Sequence, residues 1–370
     1  MTRKSCAALA ALAAILAGAA SAADVQVYGR VDTGLYLTKS NATGVRSLSM
    51  ESGIAGASRF GVKGSETLDG GVKVGFVLEN GFKADTGAQA DADRLFDRDA
   101  YLYVNTPYGD FCFGRSGSIG GGVSGGLFAG TISPFGVVYK EAASTKVFAV
   151  EGRVDNMIRY DTPAFKGIRL SAQYSNGVDG DDALSNSQKD RYAALGAAYT
   201  LGGLKLVGVV DKYLYDDKED SHKGIRDKTA YKLGLQYKAT EGITLYGGYQ
   251  HTDNAQKIGL VTASAVKGAD TDAFTLGARF ALAGGSLNLA LGYVEGDRRD
   301  SKNALYEVKM WQAAAGYTYP LSKRTVLYAA AAYLDSDYTK DGQKVTAKSP
   351  KDSNSATKVK SVMAGLYHAF

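Results

Sequence analysis

Apolar and polar side chains alternate with a period of two along most of this 370-residue chain, and the connections between the alternating segments are short and long in turn. The segments 72–79 and 168–174, for example, carry an apolar residue at every second position, which is typical of strands with two chemically different faces. Seven tight turns and eight longer polar stretches separate sixteen such segments in strict alternation. The tight turns are 68–71, 106–109, 162–167, 201–203, 239–242, 283–285 and 320–323. The longer stretches are 38–57, 80–96, 116–152, 176–190, 212–229, 252–271, 295–308 and 335–360.

This order predicts an all-β fold, a sixteen-stranded antiparallel β-barrel that crosses an outer membrane with short periplasmic turns and long external loops. Inside hydrocarbon, a strand has to satisfy every backbone N–H and C=O through its neighbours, so the sheet has to close on itself. Aromatic residues at segment ends, such as Tyr174, Tyr237 and Phe280, suit the bilayer interface. A soluble two-sheet sandwich explains the period of two equally well, but not the regular alternation of short and long connections.

The first 22 residues have the features of a secretory signal peptide. Arg3 and Lys4 form a basic start, the stretch 7–17 is apolar, and 20–22 is a small-residue cleavage site. An ordinary core helix is the alternative for this segment. We therefore expect residues 1–22 to be cleaved and residues 23–370 to form the barrel.

Charge and cysteine content narrow the possible partners. Removal of the signal segment leaves 41 basic and 38 acidic residues, a net charge of +3, which is too balanced for a nucleic-acid-binding protein. Cys112 is then the only cysteine, so an internal disulfide is excluded.

Three patterns resemble binding sites without meeting their requirements. The segment 120–125 matches GxGxxG, but that pattern binds a dinucleotide only between a strand and an amphipathic helix, whereas further glycines follow here. A flexible, inward-folded loop is the better interpretation. The acidic stretches 179–182 and 216–220 suit solvated external loops, with calcium binding as the alternative. The three histidines share no ligand spacing, so we expect no metal site, no cofactor and no catalytic activity.

Five segments of the chain resemble, in their order, the general, non-specific porins of Gram-negative outer membranes, of the type common in β-proteobacteria. The segments are 27–30 (VYGR), 58–66 (SRFGVKGSE), 113–115 (FGR), 153–163 (RVDNMIRYDTP) and 365–370 (GLYHAF). Each is short, but together with the sixteen-strand count they extend over the whole mature chain.

This resemblance implies a homotrimer of water-filled barrels in the outer membrane, a multi-pass protein in contact with outer-membrane lipids and lipopolysaccharide. It implies that the second loop latches onto a neighbouring subunit and that the third loop folds inward to narrow the channel. It also implies passive diffusion of small hydrophilic solutes, with no catalysis. The terminal Phe370 looks like the signal that the outer-membrane assembly machinery reads.

By the same resemblance, four arginines are carried over to the barrel wall that faces the third loop: Arg30, Arg59, Arg98 and Arg153. Alternation independently places the first two of these on the polar face of their strands. The alternative is that each arginine pairs with a carboxylate, such as Asp32 or Glu79, and only braces the wall.

The third loop departs from the family pattern, in which acidic side chains often face the arginines. Residues 116–140 contain no Asp or Glu, the first acid is Glu141, and Lys140 and Lys146 add positive charge to the same loop. A fixed charge in a narrow aqueous passage selects counter-ions. The sequence therefore predicts a pore constriction formed by the four arginines with Lys140 and Lys146, and a preference for anions.

Two other functions stay open on the sequence alone. A solute-specific channel of the same architecture would carry a row of aromatic or basic binding positions along its narrow passage. A barrel that serves as an adhesin or an enzyme would conduct no ions.

Overall fold

A computed structural model of the chain describes residues 24–41, 44, 46–178, 189–216, 225–258, 261–262, 268–299, 303–345 and 357–370. The predicted signal segment lies outside these residues, as do the acidic stretch 179–182 and all but Asp216 of the stretch 216–220. No helix in the described ranges is long and apolar enough to span a membrane.

Sixteen antiparallel strands form a closed barrel, as predicted. The first eight are β1 (Asp24–Ser40), β2 (in two segments, Arg46–Ser52 and Arg59–Thr67), β3 (Lys73–Gly81), β4 (Asp99–Thr106), β5 (Gly109–Gly117), β6 (Arg153–Asp161), β7 (Ile168–Ser175) and β8 (Arg191–Leu201). The others are β9 (Leu204–Leu214), β10 (Lys228–Thr240), β11 (Ile243–Ala255), β12 (Ala269–Leu282), β13 (Gly285–Arg299), β14 (Leu305–Pro320), β15 (Thr325–Lys340) and β16 (Thr357–Ala369). Short strand pieces (Lys257–Ile258, Val261–Thr262, Gln343–Lys344) and 3-10 turns (Asp69–Gly71, Lys140–Ala142, Ser144–Lys146) lie in the connections.

The last strand pairs with the first, which removes the open edges of the sheet. The β1–β16 register runs from Arg30 opposite Ala369 to Ser40 opposite Val359. Phe370 and Gly29 continue this pairing through two backbone hydrogen bonds of 3.0 and 3.1 Å. Every strand therefore has two hydrogen-bonded neighbours, as a strand in hydrocarbon requires.

The seven tight turns lie where the sequence predicts them, but the strands reach further into the long connections than expected. Within the predicted loop 295–308, β13 extends to Arg299 and β14 begins at Leu305, and the predicted loop 38–57 contains the first segment of β2. Backbone pairing continues outside the bilayer because the neighbouring strand still offers partners there. Both faces of the sheet then meet water, so the apolar alternation that marks a strand in the sequence is lost.

The outer face of the barrel is apolar and the inner face is mostly polar. Leu195, Leu276 and Trp311 point outward with 67%, 70% and 60% of their surfaces exposed. Aromatic pairs lie towards the long-loop end of this face, with Tyr293 and Trp311 ring centroids 4.4 Å apart. An exposed apolar band with aromatic residues at its border is the surface that a lipid bilayer covers.

Candidate functional site

The third loop, residues 118–152, folds into the barrel and packs against its inner wall. Ile119, Phe128, Ile132 and Phe148 are each 2% exposed or less. They form one cluster with inward-facing residues of β6, β8, β9 and β12 to β15, such as Val207. At these strands the inner face is apolar because the loop, rather than water, covers it.

A row of inward-facing glycines makes room for this loop. A Cβ atom added at Gly248 would lie 2.8 Å from Ile132 Cβ, and one at Gly277 would lie 2.6 Å from Pro134 Cδ. Real Cβ atoms do not approach other atoms this closely. The glycine row consists of Gly196, Gly234, Gly248, Gly277, Gly292 and Gly316, which belong to β8 and β10 to β14. Some of the 46 glycines of the chain therefore make room for the packing of the third loop against the wall.

Three buried glutamines of the wall hold the backbone of the loop. Gln173 accepts a hydrogen bond from the Ile119 amide at 2.8 Å. Gln250 Nε2 donates to the Ala149 carbonyl at 2.9 Å. Gln312 Nε2 donates to the carbonyls of Glu141 and Ala143. Because these bonds join the loop to β7, β11 and β14, they fix it at widely separated points.

A buried ion pair lies under the start of the loop. Lys232 and Asp211 bind each other with 1% and 2% of their side chains exposed. Lys232 Nζ also lies 3.4 Å from the Gly120 carbonyl, and the Tyr192 hydroxyl donates to Asp211 at 3.2 Å. Buried charges of this kind are tolerated only when they are paired and hydrogen-bonded.

We expect Gly248→Val to displace the third loop and to change the single-channel conductance. Overpacking a filled contact costs about 1–3 kcal/mol, and the loop can move more easily than the barrel wall. Gly247→Val is the matched control, because a Cβ atom at this outward-facing neighbour meets nothing closer than 3.9 Å. Planar-bilayer recordings check the prediction, and equal conductance in both variants would contradict it.

Three of the four predicted wall arginines meet around two carboxylates. Glu79 accepts Arg59 Nε at 3.1 Å and Arg98 Nε at 2.5 Å. Arg153 Nε binds Asp99 at 2.9 Å, and its Nη2 lies 4.0 Å from Glu79. This arginine cluster of five residues therefore carries a net charge of +1. The sequence analysis left open that a single arginine pairs with a carboxylate such as Glu79, and Arg59 and Arg98 both do so.

Arg30 stands next to this cluster without a carboxylate in ion-pair range among the described residues. Its Cα lies opposite that of Arg59 in the β1–β2 ladder. Its guanidinium stacks 4.2 Å above the ring centroid of Tyr367, a cation–π contact. The Nε atom is buried and has no hydrogen-bond partner in the described structure.

The two predicted lysines lie apart from the arginine cluster. Lys140 Nζ pairs with Glu51 at 2.9 Å and lies over the Tyr36 ring. Lys146 is partly exposed and makes no ion pair with a described residue. That the four arginines and the two lysines together form the pore constriction stays a prediction.

The first acidic residue after the loop segment 116–140 is hydrogen-bonded to the barrel wall. Glu141 is 9% exposed and accepts a hydrogen bond from the Tyr36 hydroxyl at 2.8 Å. The loop segment 116–140 therefore presents no carboxylate, and the first acid after it is bound by the wall.

Sequence reasoning missed Arg279, a further cation on the inner wall. Its Nη2 donates to the Pro134 carbonyl at 2.8 Å and its Nε donates to Asn288 at 2.9 Å. It makes no ion pair with a described carboxylate. Its position on the polar face of an alternating segment was a usable signal, but its contact with the loop joins residues 145 positions apart.

The chain is similar to known outer-membrane proteins over most of its length. The sequence profile described as Gram-negative porin matches residues 8–339. Outer membrane porin protein 32 of Delftia acidovorans is 30% identical over 341 residues, which cover 90% of this chain and 89% of that protein.

Two solved structures share the fold. The anion-selective porin from Comamonas acidovorans is 23% identical with a TM-score of 0.67, and the match covers 94% of this chain and all of that one. OmpT of Vibrio cholerae, folded in vitro and in trimer form, is 19% identical with a TM-score of 0.59, over 95% of this chain and all of that one. With a matching family profile over most of its length and a closed sixteen-stranded barrel around an inward loop, this chain belongs to the Gram-negative porin family.

Proposed function

We propose that this outer-membrane porin passes small hydrophilic solutes by passive diffusion and prefers anions to cations. The observation that carries the proposal is the imbalance of fixed charge around the third loop. The loop has no carboxylate over residues 116–140, whereas Arg30 and Arg279 lie on the inner wall without an ion-paired acid among the residues that the structure describes.

Pairing in the arginine cluster weakens this field without reversing it. Three guanidiniums share the charges of Glu79 and Asp99, so one positive charge remains. Lys205 adds another at the loop, where its Nζ lies 3.2 Å from Thr131 Oγ1. Low-dielectric walls focus the field of such charges into the aqueous passage and raise the local concentration of anions.

Reversal potentials in a planar bilayer under a KCl gradient test the proposal. We expect a chloride-to-potassium permeability ratio of about 4, because one unit charge at about 10 Å in water favours an anion and disfavours a cation by about 0.4 kcal/mol each. Arg30→Gln should lower this ratio, and Arg46→Gln should leave it unchanged, because Arg46 lies on the outer surface with the exposed Leu48. A ratio below 1 for the unmodified protein would overturn the anion preference.

We also propose that the porin is a homotrimer. The support is the trimer form of the Vibrio cholerae structure, which shares the fold, and the apolar outer surface of this barrel. Leu95 of the second loop is 56% exposed and is available to a neighbour, although Arg94 of the same loop binds Asp155 of its own barrel at 2.6 Å. Native mass spectrometry from detergent should give three times the protomer mass, and a monomer would contradict the proposal.

The remaining proposals concern maturation and surroundings. Residues 1–22 are removed on export, which N-terminal sequencing of the mature protein checks. The assembly machinery reads the C-terminal Phe370, and lipopolysaccharide and other outer-membrane lipids cover the apolar band. The proposal assigns the chain no cofactor and no catalytic step.

A further inference from the structure

A polar cavity of about 510 Å³ lies on the short-turn side of the third-loop tip. The loop segment 133–139 forms one side of it. The opposite side belongs to the wall near the tight turns, including Thr318 and Pro320 at the end of β14. No residue that lines this cavity is acidic, and Arg279 is basic. The charge and the size of the cavity therefore suit a small anion rather than a cation.

Hydrogen bonds hold the guanidinium of Arg279 in place, and no acceptor in the described part of the chain uses its outer edge. Nε donates to Asn288 and one Nη2 hydrogen donates to the Pro134 carbonyl. The two Nη1 hydrogens and the second Nη2 hydrogen are not engaged by described acceptors. This Nη1–Nη2 edge is one that binds a carboxylate with two parallel hydrogen bonds. Because Asn288 and the Pro134 carbonyl hold Nε and one Nη2 hydrogen, the guanidinium has a defined orientation before a solute arrives.

Aromatic rings form the apolar part of the cavity. Tyr246 lies 5.8 Å from the Arg279 guanidinium, and Phe135 packs edge-to-face on Tyr139 with centroids 5.6 Å apart. Tyr367 also lines the cavity and carries Arg30 on its ring. Such faces favour a flat, apolar body beside the charged group.

Arg30 adds a second positive charge to that of Arg279 near the loop segment 133–139. Burial raises the pKa of the Tyr139 hydroxyl, the charges of Tyr367 and Asp32 raise it further, and the charges of Arg30 and Arg279 oppose this rise. Both guanidiniums thus act electrostatically on one point of the cavity wall. Neither is neutralised by a carboxylate within ion-pair distance among the described residues.

We propose that this cavity is a binding subsite for small aromatic monocarboxylates, with Arg279 holding the carboxylate and Tyr246, Tyr139 and Tyr367 surrounding the ring. The inference rests on the proposed anion preference and narrows it to one solute class. A subsite beside the narrowed passage delays such solutes, so they reduce the current that smaller ions carry.

Block of KCl current by benzoate in planar bilayers tests the proposal. Benzoate should reduce the conductance in a saturable manner, and acetate, which lacks the ring, should need an at least about fivefold higher concentration for half-block. Arg279→Gln should raise the half-blocking concentration of benzoate at least about tenfold. Arg46→Gln, which removes the same charge from the outer surface, should leave it unchanged.

A second variant keeps the test decisive if Arg279→Gln disturbs the loop. Tyr246→Leu leaves both hydrogen bonds of Arg279 in place and should raise the half-blocking concentration of benzoate about threefold without changing that of acetate. Equal block by benzoate and acetate, or benzoate block that survives Arg279→Gln unchanged, would overturn the subsite. If chloride preference is retained in that case, the proposed function stands and only the subsite fails.

Discussion

Replacing Glu79 with glutamine should raise the chloride-to-potassium permeability ratio roughly three- to tenfold at low salt. Glu79 is the carboxylate that Arg59 and Arg98 share, and it lies 4.0 Å from Arg153. Its neutralisation takes the arginine cluster from a net charge of +1 to +2. Glutamine keeps the shape of the side chain and one acceptor oxygen, so the guanidiniums retain a partner that carries no charge.

Reversal potentials measured at two salt concentrations check this prediction, because screening should shrink the effect as the Debye length falls. Glu66→Gln is the matched control, since Glu66 is exposed next to a tight turn at the other end of the strand segment that begins at Arg59, about 23 Å from it at the usual rise per residue. An unchanged reversal potential with a lower melting temperature would show that the arginines brace the wall without setting the selectivity.

The strand number and the tight turns were predictable because both depend on neighbours in sequence. Each turn joins two strands over a few residues, as 283–285 does between β12 and β13, and its glycines are visible locally. The long-loop ends of strands were not predictable. The last residues of β13 and β15, up to Arg299 and Lys340, remain paired where water covers both faces and the apolar alternation disappears.

The sequence named the four wall arginines, but it did not reveal their shared pairing around Glu79 and Asp99, and it missed Arg279. Alternation placed Arg30 and Arg59 on the inner face, and the acid-free segment 116–140 was read directly. The contact of Arg279 with Pro134 depends on how a long loop lies inside the closed barrel, which no local pattern records. The same loop explains the apolar run 206–210, because its inner-facing valines meet the loop while the other positions face lipid.

Replacing Lys232 with methionine should lower the free energy of unfolding by about 3–5 kcal/mol, because it leaves Asp211 charged and buried without its cation. The Tyr192 hydroxyl is then the main remaining donor to this carboxylate. Urea unfolding in detergent micelles measures the change. Lys238→Met in the same strand is the control, because Lys238 and Glu241 are an exposed pair whose loss should cost at most about 1 kcal/mol.

The double variant Lys232→Met/Asp211→Leu separates the buried pair from the loop that it supports. Apolar replacement of both partners should restore most of the lost stability. It should not restore the contact between Lys232 and the Gly120 carbonyl at the start of the third loop. Single-channel recordings of the double variant should therefore show noisier open-channel current from a barrel of nearly normal stability. Quiet current from that variant would mean that the glutamines and the glycine row hold the loop without help from the ion pair.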